Sequence, residues 1–134
     1  MRLIGIDYGR ARIGVALGDT ETHIASPLLI LDNTGDENAL RELVRLAKEE
    51  TVDAFVIGIP KPLRDRTRET DQAREIRAYA RRLSEATGLP VHEADETLSS
   101  ALAERQAAEM GEYKKRDDLA AAAILQGYLD RGAS

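Results

Sequence analysis

The chain begins with LIGIDYG at residues 3–9, followed closely by RIGVALGD at residues 12–19. Both stretches are short and mostly apolar, which predicts two strands joined in a hairpin by a tight connection at residues 9–11. Asp7 lies at the end of the first strand, where an ionised carboxylate is costly unless it accepts hydrogen bonds or binds a metal ion. An Asp that only caps the turn through its own backbone is an equally common alternative.

The rest of the chain alternates strands with helices. An apolar run at residues 53–60 ends at a proline, which is typical of a strand covered on both faces. Apolar spacing and turn residues predict further strands at residues 26–31 and 91–96, and helices at residues 36–50, 68–87, about 98–110 and 117–130. The order β-β-β-α-β-α-β-α-α predicts an α/β fold, a five-stranded mixed sheet with helices packed on it, in a single domain over residues 1–134. The alanine run at residues 120–123 predicts a close approach of the last helix to the sheet.

Composition excludes several classes of protein. With 43% hydrophobic and 32% charged residues the chain is not disordered, and no apolar run approaches the ~20 residues needed to cross a bilayer. The chain has no cysteine, and no secretory leader is visible, which fits a cytoplasmic protein without a disulfide or a thiolate nucleophile. The two histidines, His23 and His92, lack the spacing of a zinc site. We therefore expect a soluble, cytoplasmic globular domain without zinc.

The formal net charge of -5 hides a polarised distribution. Residues 19–53 hold nine acids and three bases, whereas residues 61–82 hold eight bases and four acids. A local basic surface can bind a phosphate backbone although the whole chain is acidic. Between Arg74 and Arg82, Glu–Arg pairs on a solvated helix face explain the bases well. They explain residues 61–68 poorly, because that stretch reads as a loop.

Three acidic residues lie where predicted elements can meet. Asp7 ends the first strand, Glu96 ends the last strand, and Asp117 begins the last helix. Neighbouring parallel strands end at the same side of a sheet, and three convergent carboxylates repel one another unless cations hold them together. This grouping predicts a site for hard divalent ions such as Mg²⁺ or Mn²⁺. Judged singly, Asp117 or Asp118 reads as a helix cap, and Glu96 as a charge at the start of the following helix.

The same residues belong to motifs that run through nearly the whole chain. The motifs are IGIDYG at 4–9, RIGVA at 12–16 with Asp19, ASPL at 25–28, VIGIP at 56–60, DETLSS at 95–100 with Ala103, and Asp117 with AA at 120–121 and ILQ at 124–126. In this pattern the chain resembles the YqgF/RuvX family, the Holliday-junction-resolvase-like nucleases. The resemblance implies a ribonuclease-H-like fold and a cytoplasmic, metal-dependent nuclease that trims the 5′ end of the 16S ribosomal RNA precursor, while some members look like DNA junction resolvases. By position, Asp7, Glu96 and Asp117 match the family's acidic residues.

Three positions depart from the family's usual pattern. Thr97 stands where the family commonly has Arg, and Arg10 stands where it commonly has a small hydroxyl residue. The loop at residues 61–68 is basic, whereas the family usually has a polar, Gly-containing segment there. The family's arginine at position 97 implies a contact with a phosphate or with a metal ligand, and Arg10 or the basic loop is the candidate to supply that contact here.

The mechanism that we expect is hydrolysis of a phosphodiester by metal-activated water. Two Mg²⁺ or Mn²⁺ ions would be held by Asp7, Glu96 and Asp117. The candidate phosphate ligands are Arg10, Arg12, Lys61, Arg64, Arg66 and Arg68, which would add affinity but little sequence preference. The expected partner is structured RNA or branched DNA, and not a membrane. Five aromatic residues offer few platforms for stacked bases, so we expect recognition of the shape and phosphates of the nucleic acid. A homodimer is expected only by analogy with resolvases that act on paired strands.

Two other functions fit parts of the sequence. The turn at residues 5–9 also resembles the first phosphate-binding turn of the actin-like ATPases and sugar kinases. Those proteins need two such domains around the nucleotide, and 134 residues hold one. The chain could instead be a non-catalytic nucleic-acid or ribosome-assembly binding module that keeps the fold. Cleavage by the wild type but not by Asp7→Asn, with binding retained, separates the nuclease from this alternative.

Overall fold

A computed structural model describes residues 1–33, 37–60, 69–95 and 117–131, which form five strands and three helices. The strands are β1 (Arg2–Tyr8), β2 (Arg12–Asp19), β3 (Ile24–Asp32), β4 (Ala54–Ile59) and β5 (Val91–Asp95), and the helices are α1 (Asn38–Glu49), α2 (Asp71–Thr87) and α3 (Asp117–Asp130). The helix expected at about 98–110 lies outside the described residues. None of the three described helices is long and apolar enough to cross a membrane.

The strands form one mixed sheet in the order β3-β2-β1-β4-β5. β1 pairs with β2, and β2 with β3, in antiparallel fashion, whereas β1 pairs with β4, and β4 with β5, in parallel. The five-stranded mixed sheet and the α/β class predicted from the sequence are therefore confirmed. β1 is the central strand, and Asp7 lies near its carboxyl end.

Helices cover both faces of the sheet, and each face has its own core. Successive strand residues point to opposite faces, so Ile4 and Ile6 pack in the cluster that contains α1 and α2 side chains. Leu3 lies on the other face, in the cluster that contains Leu125 of α3. All six residues of β4 are buried, as its continuous apolar run predicts.

The edge strand β3 is longer than predicted. It begins at Ile24, two residues before the predicted start, and includes Pro27. Proline lacks the N–H that a central strand must donate, but it is tolerated on an edge strand or at a bulge. β3 meets both conditions, because it is the last strand of the sheet and its pairing with β2 shifts register between Val15 and Ala16.

Local capping residues set the ends of α2. The Thr70 hydroxyl accepts a hydrogen bond from the Ala73 N–H at 3.1 Å, so the helix begins at Asp71, three residues after the predicted start. A side-chain cap of this kind satisfies one of the unpaired N–H groups of the first turn. At the other end Gly88 has φ of 72°, a left-handed conformation that favours glycine. The prediction that Gly88 ends this helix is confirmed. α1 likewise begins at Asn38, two residues after its predicted start.

Glycine on the sheet lets α3 lie unusually close to it. A Cβ built on Gly5 would lie 2.7 Å from Leu125 Cβ and 2.9 Å from the Ala121 carbonyl oxygen. Real side chains do not pack at such distances, so only a residue without a Cβ fits between β1 and the helix. The close approach expected from the alanine run at residues 120–123 is thus confirmed.

Candidate active site

The carboxyl ends of three parallel strands lie at one side of the sheet, which we call the carboxyl end. β1, β4 and β5 run in the same direction, with Ile6 opposite Ile57 and Ile59 opposite Asp95. Asp7 follows Ile6 directly, so it lies at this carboxyl end. β5 is separated from β1 only by β4, or by about 10 Å across two strand spacings. Acidic residues at the ends of these strands are therefore brought to one region of the molecule.

Asp7 is buried on the face of the sheet that α3 covers. The residue is 5% exposed, and it shares this face with Leu3 and Gly5. Within the ranges that the structure describes, no group donates a hydrogen bond to the Asp7 carboxylate and no cation pairs with it. Burying an unpaired carboxylate is costly, so this position favours a bound cation.

A glycine brings Asp117 next to Asp7. Gly14 of β2 is the register partner of Asp7, and directly opposed residues of antiparallel strands have Cα atoms about 4.5–5.5 Å apart. A Cβ built on Gly14 would lie 1.8 Å from the Asp117 carbonyl oxygen and 2.9 Å from Asp117 Cβ. The start of α3 therefore presses directly on the strand position beside Asp7. The structure brings these two predicted site residues together, although 110 residues separate them in the sequence.

The start of α3 also sets the electrostatics of this region. Asp117 and Asp118 both lie in the first turn of α3, where the helix dipole favours negative charge. Asp118 is buried, and its carboxylate accepts a hydrogen bond from the Leu119 N–H at 3.0 Å. Asp118 therefore accepts from one backbone N–H in the first turn of the helix, and the interpretation of Asp117 or Asp118 as a helix cap stays a prediction. Asp117 is the member of the pair that lies against Gly14.

Arg10 and Arg12, two candidate phosphate ligands, lie at the same carboxyl end but pair with different acids. Arg12 Nε lies 3.2 Å from Asp117 Oδ2, and the arginine side chain is 60% exposed. Arg10 is 82% exposed, and its guanidinium lies 3.3 Å from Glu75 Oε2 of α2. Both guanidinium groups are accessible to a ligand, but only Arg12 contacts a predicted catalytic carboxylate.

Five predicted site residues lie outside the described residues. They are the third predicted carboxylate and the basic loop after β4, namely Glu96, Lys61, Arg64, Arg66 and Arg68. In the part of the chain that the structure describes, no three His, Cys, Asp or Glu residues are grouped as metal ligands. Asp7 and Asp117 are the two predicted carboxylates that the structure describes, and Glu96, the predicted third member, follows the last described residue of β5.

The basic face of α2 is neutralised by acids. Arg74 pairs with Asp71 within the helix at 3.1 Å, and Arg82 pairs with Glu37 at 3.0 Å. Arg77 donates hydrogen bonds to Glu93 and Glu69, which raise the pKa of its guanidinium. These pairs confirm the interpretation of this stretch as a solvated helix face with Glu–Arg pairs. Arg74, Arg77 and Arg82 therefore leave little unpaired positive charge for a phosphate backbone.

Gln126 fixes the position of α3, a role that sequence reasoning missed. Its Oε1 accepts a hydrogen bond from the Ala25 N–H at 2.9 Å, and its Nε2 donates to the His23 carbonyl at 2.7 Å. The side-chain amide thus accepts one hydrogen bond from the backbone at the start of β3 and donates one to it, as the backbone of a neighbouring strand does. Two hydrogen bonds at this point restrain sliding of α3 along the sheet, and so restrain Asp117 at its start. The only signal in the sequence was the presence of Gln126 in the motif at 124–126.

A second polar anchor holds the turn beside Asp7. Asn33 Nδ2 donates to the Gly9 carbonyl at 2.8 Å, and its backbone N–H donates to the Ala11 carbonyl at 2.8 Å. A Cβ on Gly9 would lie 2.6 Å from the Arg12 carbonyl oxygen, so the turn tolerates no side chain there. The connection between β1 and β2 is therefore rigid, and it holds the backbone of Arg12 in place.

Comparison with known proteins identifies close relatives over the full length. The family described as "RuvX: Holliday junction resolvase" matches residues 1–131. A protein of Anaeromyxobacter sp. (strain Fw109-5), named "Putative pre-16S rRNA nuclease", is 42% identical, with 97% of each chain covered. A protein of Streptococcus sanguinis with the same name is 38% identical over 98% of this chain and 99% of its own. Among solved structures, Thermus thermophilus RuvC in complex with a Holliday junction superimposes with a TM-score of 0.62 at 15% identity, covering 99% of this chain and 96% of that one. This last likeness concerns the fold alone.

Proposed function

The chain belongs to the RuvX family, and from that premise we propose that it is a metal-dependent nuclease that hydrolyses phosphodiesters in structured nucleic acid. The name shared by its relatives makes the 16S ribosomal RNA precursor the first candidate substrate. The family resemblance noted in the sequence makes the 5′ end of that precursor the expected place of cleavage. A substrate of this kind, together with the absence of cysteine, supports a cytoplasmic location.

The observation that carries this proposal is Asp7, a buried residue beside Asp117 whose carboxylate has no hydrogen-bond or ion-pair partner among the described residues. Carboxylate oxygens are the ligands that Mg²⁺ and Mn²⁺ prefer, so the donor set fits these ions. Glu96 is the next residue along the chain after Asp95, whose strand ends at the carboxyl end of the sheet. Ions held by Asp7, Asp117 and Glu96 would supply an activated water and neutralise charge on the phosphate, with two ions as the expected number.

The residues of the chain itself would bind and orient the nucleic acid. Arg10 and Arg12 are exposed at the carboxyl end of the sheet, where a phosphate backbone can reach them. The basic segment of residues 61–68 follows β4, which ends at the same place. Cationic side chains around an acidic centre supply affinity for phosphate without sequence preference. This arrangement supports recognition of the shape of structured RNA or DNA.

Asp7→Asn tests the catalytic assignment. We expect it to lower cleavage of a precursor rRNA fragment in Mn²⁺ by more than about 100-fold, because outer contacts to metal ligands alone are worth 10- to 100-fold. Binding to the same RNA, measured by fluorescence anisotropy, should persist. Asp71→Asn is the matched control, since that carboxylate is 96% exposed on α2. Equal cleavage by wild type and Asp7→Asn would refute the assignment and leave a non-catalytic binding module.

A Holliday junction resolvase is the second candidate function, and the description of the family favours it. A four-way DNA junction should therefore be tested beside the precursor RNA, with the same variants and the same metal ions. Symmetric nicking of the junction at rates above those on RNA would make branched DNA the preferred substrate. Paired nicks would also call for two active sites, and sedimentation of the protein would then test the expected homodimer.

A further inference from the structure

The contact between Arg12 and Asp117 joins a candidate phosphate ligand to a candidate metal ligand. Arg12 Nε lies 3.2 Å from Asp117 Oδ2, and the carboxylate is only 17% exposed. In the proposed function these two side chains serve different partners, the arginine a phosphate and the aspartate a divalent ion. A guanidinium and a divalent cation repel each other when they approach the same carboxylate.

We propose that Arg12 is the counter-ion of Asp117 in the metal-free protein, and that a divalent cation displaces it and frees its guanidinium for a phosphate of the nucleic acid. This inference rests on the proposed function, because it needs the metal site at Asp7 and Asp117. It adds an order of assembly, in which metal binding prepares the protein for its substrate.

The geometry permits the exchange without a change in the backbone. Arg12 begins β2, on the same face as Gly14, and its backbone pairs with Asp32 of β3. The turn at Gly9 presses against the Arg12 carbonyl, so the main chain at this position is held from two sides. The side chain is long and largely exposed, and it can move away from Asp117 by rotation of its own bonds. Only the guanidinium needs to change place.

The energetics also favour displacement. Ion pairs with an exposed member are weak, because water and salt screen the attraction and the long side chain loses rotamer freedom. A divalent ion between two partly buried carboxylates carries twice the charge and meets less screening. The free energy lost when the Arg12–Asp117 ion pair breaks is therefore small compared with the free energy gained when the divalent ion binds both carboxylates. The competition should weaken metal binding by about twofold to fivefold, the range that corresponds to such pairs.

Arg10 provides a matched control for the loss of one positive charge. It lies two residues before Arg12 and is also exposed, but it pairs with Glu75 rather than with Asp117. A general electrostatic effect on cation binding would be similar in the two variants. Direct competition for Asp117 would instead tighten cation binding only in the variant that lacks Arg12.

The experiment is calorimetric titration of Mn²⁺ into the wild type, Arg12→Gln, Arg10→Gln and Asp7→Asn, without nucleic acid. We expect Arg12→Gln to bind Mn²⁺ about twofold to fivefold more tightly than the wild type, and Arg10→Gln to be nearly unchanged. Equal tightening in both arginine variants, or none in Arg12→Gln, would overturn the displacement. If the wild type binds no Mn²⁺, or Asp7→Asn binds it as well as the wild type, the proposed metal site itself fails.

A spectroscopic measurement tests the movement of the side chain directly. In the metal-free wild type the Arg12 Nε–H should give a ¹⁵N signal displaced from that of a free arginine, because the guanidinium lies beside the Asp117 carboxylate. Addition of Mg²⁺ should shift this signal towards that of a free arginine, with no such change in Asp7→Asn. A signal that stays in place at saturating Mg²⁺ would contradict the displacement even if metal binds.

Discussion

Gly14→Ala probes the contact that places Asp117 beside Asp7. The added Cβ would lie 1.8 Å from the carbonyl oxygen and 2.2 Å from the carbonyl carbon of Asp117. Real Cβ atoms essentially never approach within 3.0 Å of another heavy atom, so the start of α3 must move by about 1.2 Å. The obstructing atoms belong to the backbone, and no rotation of a side chain can relieve the clash.

A shift of this size should affect cleavage more than folding. Overpacking of this kind costs about 1–3 kcal/mol in the free energy of unfolding, which urea titration can measure. A misplacement of about 1 Å in a catalytic group can cost about 100-fold in rate. We therefore expect Gly14→Ala to remain folded under native conditions, to lose about 100-fold in cleavage of the precursor RNA, and to bind Mn²⁺ more weakly by calorimetry.

Gly18→Ala is the matched control for this substitution. Gly18 lies on the same strand and the same face, but the nearest obstacle to its Cβ is the Cδ2 end of Leu125 at 2.8 Å, a side chain that can rotate. We expect a loss of stability in this variant with cleavage largely kept. Wild-type cleavage and wild-type Mn²⁺ affinity in Gly14→Ala would refute the reasoning, because Asp117 would then not depend on this contact.

The remaining predictions concern the anchor of α3, a buried tyrosine and the metal. Gln126→Glu should lower the free energy of unfolding by about 1–3 kcal/mol in urea titrations, because the new carboxylate has no N–H to donate to the His23 carbonyl. Unchanged stability would refute the role of Gln126 in holding α3 in place. Tyr79→Phe should stabilise the protein by about 1 kcal/mol, since the buried hydroxyl has no hydrogen-bond partner among the described residues. Burial raises the pKa of Tyr79 to about 12, so the unfolded chain loses this proton first and wild-type stability should fall as pH rises from about 10 to about 12. Thermal unfolding of Tyr79→Phe should lack that part of the fall, and an equally steep fall would contradict the assignment. Mn²⁺ should raise the melting temperature of the wild type but not of Asp7→Asn, and EDTA should reverse the increase; an equal increase in both proteins would place the ion elsewhere.

The regular elements could be read from the sequence because their causes are local. The apolar run of β4 predicts a strand buried on both faces, and Gly88 predicts the end of α2 by its conformational freedom. The ends of some helices and strands differ from the predicted ends where a local signal in the sequence was misjudged. Thr70 supplies a cap that shortens α2, and Pro27 is tolerated because β3 is an edge strand, a fact that depends on the order of the whole sheet.

The candidate site was only partly predictable. Asp7 stood out because a carboxylate at the end of an apolar strand is costly, and Asp117 because it begins the last helix, where it can join acids at the strand ends. No sequence rule could foresee that Arg10 and Arg12, two residues apart, pair with acids on different helices. Gln126 was equally hidden, because its hydrogen-bond partners lie about a hundred residues earlier in the chain.

By itself, the sequence determined the succession of the described strands and helices, the acid at the end of the first strand and the family resemblance, since periodicity, capping and motifs act over short spans of chain. Only the tertiary structure decided that β1 lies centrally and that α3 packs against Gly14. As a consequence, Asp117 lies beside the strand position of Asp7, and Arg12 forms an ion pair with Asp117. Such contacts join residues far apart in sequence, and they form only when both cores pack against the same sheet.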